Sequence, residues 1–132
     1  MMTDQVNYAH DDLHKKFMDS DILKWTEEID IIDVEMIFYR NLLNAHLQDF
    51  AAWDEINYEG LFQGITDVQS YNLMFKSTFV QYSNRLVAMA ECDDLQCENY
   101  FLNEHAQLKE RIEGHFSSYK IFKKTLLTHL KN

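Results

Sequence analysis

The stretch MDSDILKWTEEIDIIDVEMIFYRNLLNAHLQDF, Met18 to Phe50, decides the fold. Within it Met18, Ile22, Trp25, Ile29, Ile32, Met36, Tyr39, Leu43, His46 and Phe50 recur in alternating steps of four and three. A helix turn takes about 3.6 residues, so such steps return to one side of the rod. A strand would need strict alternation, and no short strand sustains this match.

Two more stripes follow the same rule. One reads Ile65, Val68, Asn72, Phe75, Phe79, Tyr82, Leu86, Met89; the other reads Phe101, His105, Leu108, Ile112, His115, Tyr119, Phe122, Leu126, His129. Beside the first stripe, Ile31, Val34, Ile37, Phe38 and Leu42 widen the apolar arc, and Leu73, Met74 and Val87 widen the second. An arc that broad asks for more than one neighbour. The expectation is an all-α, up-down-up bundle of three long helices, with helix 1 over about 20–50 (an earlier turn around Asp11 to Phe17 preceding it or running into it), helix 2 over about 65–91 and helix 3 over about 94–130. Its first and third helices would be parallel.

Boundary signals set those limits. Thr66-Asp67-Val68-Gln69 has the form of a capping box and would open helix 2 just after Gly64. Asp93, with Gln96 three residues on, would open helix 3. Residues 48–62, which carry Trp53, Tyr58 and Phe62, read as a short helix near 48–60, a packed loop or a continuation.

Composition agrees with one helical domain over 1–132. The chain has no proline and three glycines, too little punctuation for a sheet with its frequent turns. At 46% hydrophobic residues it can build a core, and nine Phe, seven Tyr and two Trp make that core aromatic. A net charge of −10 argues against binding a nucleic-acid backbone. From Lys109 onward six Lys/Arg outnumber two Glu, a placement that complements a helix C-terminus. No signal peptide or apolar membrane span is visible, which makes a cytoplasmic setting the expectation.

Few residues promise chemistry. His46, His105, His115 and His129 fall on the core stripes, but no Glu-x-x-His pair accompanies them as a di-iron bundle requires; Asp11-x-x-His14 is the nearest match. His105 and His115 stand about 15 Å apart along one helix, too far to share an ion. Histidines hydrogen-bonded or half exposed at bundle edges are the expected reading. Cys92 and Cys97 lack the second pair that a zinc tetrad needs and are expected as reduced, structural thiols. Glu104-His105-Ala106-Gln107-Leu108-Lys109 resembles histidine phosphotransfer domains, in which Leu and Lys follow the histidine at two and three positions and Gly at four. Here Leu108 and Lys109 stand at three and four, turned by about 100°. Glu27-Glu28 and Asp93-Asp94 are adjacent pairs pointing to different faces, not acid/base couples. Asn72, in a core position, is a candidate register device whose replacement by Leu should raise stability or change the oligomeric state.

The run Leu23-Lys24-Trp25-Thr26-Glu27-Glu28-Ile29 through Glu35-Met36-Ile37-Phe38-Tyr39-Arg40-Asn41-Leu42-Leu43 resembles a group of small acidic bacterial helical-bundle proteins with no assigned activity; Gln81-Tyr82-Ser83-Asn84-Arg85-Leu86 is similar to it too. The resemblance implies a three-helix bundle and supplies no chemistry.

The functional expectation is a non-enzymatic interaction module that associates with itself, as a homodimer, or with another protein. Neither nucleic acid nor membrane is expected as a partner, and the sequence names no catalytic residue, metal ligand or cofactor. The alternative is a bundle that binds a metal or ligand through residues such as His46 and Glu35, and is conceivably an enzyme. A phosphotransfer protein and an acidic nucleic-acid mimic stand further off.

Overall fold

A computed structural model describes the backbone of residues 2–49 and 55–131 and the side chains of residues 14–48 and 58–130. Three helices carry the chain: α1 (Met2–Asp49), α2 (Glu55–Leu86) and α3 (Leu95–Lys131). A 3-10 turn, Val87–Glu91, joins α2 to the connection before α3. No strand occurs among the described residues. The all-α, three-helix bundle is therefore the architecture.

The side-chain partners fix direction and register. His14 meets Glu98, Asp21 meets His105 and Glu35 meets Lys123, so α1 and α3 run parallel at a nearly constant offset. Against α2 the numbering runs oppositely: Asp33 reaches Asn72 and Lys76, whereas Arg40 reaches Thr66 and Gln69. The connectivity is up-down-up. Of the basic residues late in α3, Lys123 holds Glu35, which with hydrogen bonding keeps its ammonium charged to higher pH than usual.

The stripes are the core. Ile29, Met36, Leu43, Ile65, Leu86, Ile112 and Leu126 are fully buried. Burial divides them into two clusters. One gathers Trp25, Ile29, Phe75, Phe79, Tyr82 and Ile112; the other gathers Ile32, Met36, Leu61, Val68, Tyr119 and Leu126. Asn72 lies at the level between them, and Phe116 packs against both.

Several expected boundaries are corrected. α1 starts well before residue 20, since its amphipathic pattern is not the only source of helicity in a proline-free segment. α2 starts at Glu55, so Thr66 and Gln69 lie inside it rather than at its cap. Thr66 Oγ1 donates back to the Phe62 carbonyl 3.1 Å away, and Gln69 Oε1 accepts from Arg40 at 2.9 Å. A Thr-x-x-Gln pattern marks a helix start only when its side chains close on free backbone N–H groups, and here they are turned elsewhere. No separate short helix occupies 55–60, because those residues begin α2. Residues 50–54, with Trp53, lie outside the described residues. The cap of α3 is Asp94, one position later than the spacing suggested: its Oδ1 accepts from the Cys97 N–H at 2.8 Å.

The cysteines are also corrected. Cys92 and Cys97 form a disulfide with Cα atoms 5.5 Å apart, not two free thiols. The extended Cys92 backbone after the 3-10 turn and the helical Cys97 in the first turn of α3 bring the two Cβ atoms together across the connection. Closing so short a loop removes little unfolded-chain entropy. Reduction should therefore lower the unfolding free energy by only about 1–2 kcal/mol. Denaturant titrations with and without a phosphine reductant, checked by a 2 Da mass gain (about two hydrogens per bridge broken), would measure this.

Candidate functional site

The four stripe histidines are each engaged by aromatic or polar side chains of neighbouring helices. His105 Nε2 lies 2.8 Å from Asp21 Oδ2 and its Nδ1 lies 3.0 Å from the Tyr82 hydroxyl. Because a carboxylate only accepts, Nε2 carries a proton towards Asp21, and the Tyr82 hydroxyl, which also lies 3.7 Å from Met18 Sδ, closes the Nδ1 side. Trp25 stacks on the same imidazole with centroids 5.2 Å apart. Both ring nitrogens are thus occupied, which leaves no atom of His105 open to a phosphoryl donor. Tyr82 is buried, and desolvation pushes its hydroxyl pKa up, so it is no nucleophile at neutral pH.

His46 Nδ1 lies 2.9 Å from the Tyr58 hydroxyl, and the His129 ring stands edge-on to Tyr58 at 5.6 Å. Glu35, which the sequence pairs with His46 as a candidate ligand set, instead holds Lys123. The two do not share a site. His14 Nδ1 meets Glu98 at 2.8 Å across α1 and α3, while the Asp11 side chain lies outside the described residues. Among the described residues no three His, Cys, Asp or Glu converge as a metal set would. Glu27, Glu28, Asp93 and Asp94 are all exposed, with Asp94 serving as the cap.

The waist of the bundle carries the most built polar arrangement. Asn72, fully buried, donates from Nδ2 to Asp33 Oδ1 at 2.6 Å and accepts at Oδ1 from His115 Nε2 at 2.7 Å. Asp33 Oδ2 in turn takes Lys76 at 2.7 Å, and Lys76 also reaches Asp30 at 3.1 Å. These carboxylates hold the Lys76 ammonium charged above its ordinary pKa. The line crosses the bundle from the α1–α2 surface to the α2–α3 side. Burial lowers the His115 pKa, so its ring is neutral at pH 7 with the proton on Nε2.

On the α2–α3 side His115 borders a groove of about 590 Å³. Val68, Phe75, Tyr119 and Phe122 give it apolar walls. Its space follows from the sequence, because Gly114 and Ser118 present little where larger side chains would fill the seam. A Cβ on Gly114 would meet nothing within 4 Å, whereas one on Gly64 would run into the Phe122 ring. Spacing alone could not show this groove. Its signal was Gly114, a glycine inside a long helical stripe with no turn to explain it.

A second feature is on the outside. The widening residues Ile31, Val34, Ile37 and Phe38 do not find the extra neighbour expected of them; they are 55–68% exposed on the side of α1 away from the core. Leu73 of α2 is 71% exposed, and the Asp33–Lys76 and Arg40–Gln69 pairs set a register that brings it level with this patch.

No family model, curated protein or solved structure matches the chain in comparisons with known proteins. No described helix is long and apolar enough to cross a membrane.

Proposed function

We propose that the protein is a self-associating helical-bundle module, and that the outer face of α1 is its interface. One observation carries the reading: Ile31, Val34, Ile37 and Phe38 form a continuous apolar patch outside a core that is already complete without them. With Leu73 they expose on the order of 500 Å², the size of the largest patch a monomer commonly leaves open and often uses. Each side of a standard interface contributes about 800 Å². The association is therefore of moderate strength, completed by polar residues at the rim.

Charge selects a second copy in antiparallel orientation. Before the patch α1 exposes Lys24, Glu27 and Asp30; after it come Asn41, Asn44 and Gln48. An antiparallel pair centred near Val34 sets Lys24 against Asn44 and Glu27 against Asn41 of the second copy, and keeps the two Asp30 carboxylates apart. A parallel pair would place Glu27 on Glu27 and Asp30 on Asp30, at a cost in a chain already at −10. The role in this reading is structural and non-enzymatic, with no cofactor.

Sedimentation velocity over a concentration series tests it. The expected result is a species of twice the 15.8 kDa chain mass at tens of micromolar. Val34→Glu together with Phe38→Glu should weaken dimerisation by at least about tenfold, since burying either carboxylate is costly. Because both positions are exposed, the same variant should keep its helical spectrum. A strictly monomeric wild-type chain at high concentration would sink the proposal.

A cytoplasmic setting fits the acidic composition, and the Cys92–Cys97 bridge, which an oxidising compartment favours, is the observation against it. Alkylation of the thiols at the moment of lysis, read by mass, distinguishes that setting from an oxidising one.

A further inference from the structure

The groove between α2 and α3 is separate from the α1 face and has a different chemistry. Its volume, about 590 Å³, falls in the range of small-molecule sites. The walls are apolar along Val68, Phe75 and Phe122. At one end stands Arg111, whose guanidinium lies over the Phe75 ring at 5.6 Å and makes no hydrogen bond or ion pair among the described residues. Arg85, Lys76 and Lys123 hold carboxylates of neighbouring helices, whereas the Arg111 charge stands at the groove without one among the described residues. Asp67 borders the groove towards the opposite end, near Gly64 and Phe122, where it accepts from Gln63.

From Phe122 to Arg111 the helix rises about 16 Å. The groove thus offers a long apolar floor, an unpaired cation at one end and a carboxylate at the other. We propose that it binds a single-chain amphipathic monocarboxylate, with the alkyl chain along Val68, Phe75 and Phe122 and the carboxylate on Arg111. The cation selects an acid over an alcohol or an amine, since a charge-assisted bond to guanidinium is stronger than a neutral one. Asp67 repels a second acidic end and so disfavours a dicarboxylate. The neutral His115 ring adds flat wall without a competing positive charge. Gly114 keeps the floor open, and filling it is the natural way to close the site.

Titration calorimetry with dodecanoate, below its micelle concentration, is the test. One dodecanoate should bind per chain with a Kd on the order of 100 µM, the weak range suited to a small ligand in an open groove. Dodecanol and dodecyltrimethylammonium should bind at least about tenfold more weakly. Arg111→Gln should lose at least about tenfold in dodecanoate affinity, and Gly114→Leu should abolish binding. Circular dichroism confirms that both variants remain folded; Arg111→Lys, which keeps the charge, should recover part of the affinity and serves as a second check. The Val34→Glu, Phe38→Glu variant of the α1 face should bind as wild type does. Absence of saturable heat at millimolar dodecanoate, equal binding of all three probes, or an unaffected Arg111→Gln would each overturn the proposal. So would loss of binding confined to the α1-face variant, which would move the ligand to the outer patch.

Discussion

Replacing Asn72 by leucine is expected to destabilise the protein by about 2–4 kcal/mol, although it exchanges a polar core residue for an apolar one. In a simple coiled coil a lone core asparagine costs stability, and removing it is a gain. That was the natural expectation from the stripe, and the hydrogen bonds reverse it. Among the described residues Asn72 alone bridges the Asp33 carboxylate and the His115 Nε2–H, at 2.6 and 2.7 Å. Leucine would leave the half-buried imidazole donor without an acceptor and return Asp33 to Lys76 alone. Each orphaned group costs about 1–3 kcal/mol, more than the extra hydrocarbon regains. The layer also separates the two hydrophobic clusters, and because α2 supplies a partner to every contact, a slip of α2 by a turn would break all three together. Chemical denaturation of Asn72→Leu beside Asn72→Asp, which keeps an acceptor for His115, would measure the effect. A rise in the Asn72→Leu midpoint would show that the polar layer contributes nothing.

The periodic part of the fold was legible because core burial follows spacing directly. Every apolar residue of the three stripes that the side-chain description covers is buried, except Phe122, which is half-buried over Gly64. Local signals were less reliable. Thr66 and Gln69 look like a cap in one dimension, but in three they serve Arg40 of another helix, and a spacing rule cannot see a partner 26 to 29 residues away. The Cys92–Cys97 bridge depended on the chain path between Glu91 and Leu95, which no periodicity describes. For the site, the sequence placed His105 and His115 on the right face and gave no sign of Asp21, Tyr82 or Asn72 as their partners. Those partners lie on other helices, and their pairing follows from register. The groove was less visible still, because it is made by side chains that are absent.

Two consecutive isoleucines give the sharpest test of both the core and the proposed interface. Ile32 is 1% exposed among Met36, Val68 and Tyr119, whereas Ile31, its neighbour in the chain, is 55% exposed on the outer patch. A helix turns about 100° per residue, so identical side chains at adjacent positions meet hydrocarbon in one case and water in the other. Ile32→Ala should lower stability by about 3 kcal/mol, from lost transfer energy and the cavity that rigid neighbours cannot close, and the melting temperature by about 10 °C. Ile31→Ala removes the same atoms from a place where they touch little. In dilute protein it should change stability by no more than about 0.5 kcal/mol. If the α1 face pairs two copies, the difference narrows as concentration rises: Ile31→Ala then loses the stabilisation that association confers by mass action, and its melting point falls behind the wild type. Thermal melts of both variants at low and high protein concentration separate the two roles. Equal losses at every concentration would mean that the outer face is packed within the monomer. A concentration-independent silence at Ile31 would remove the patch as an interface and leave the core reading untouched.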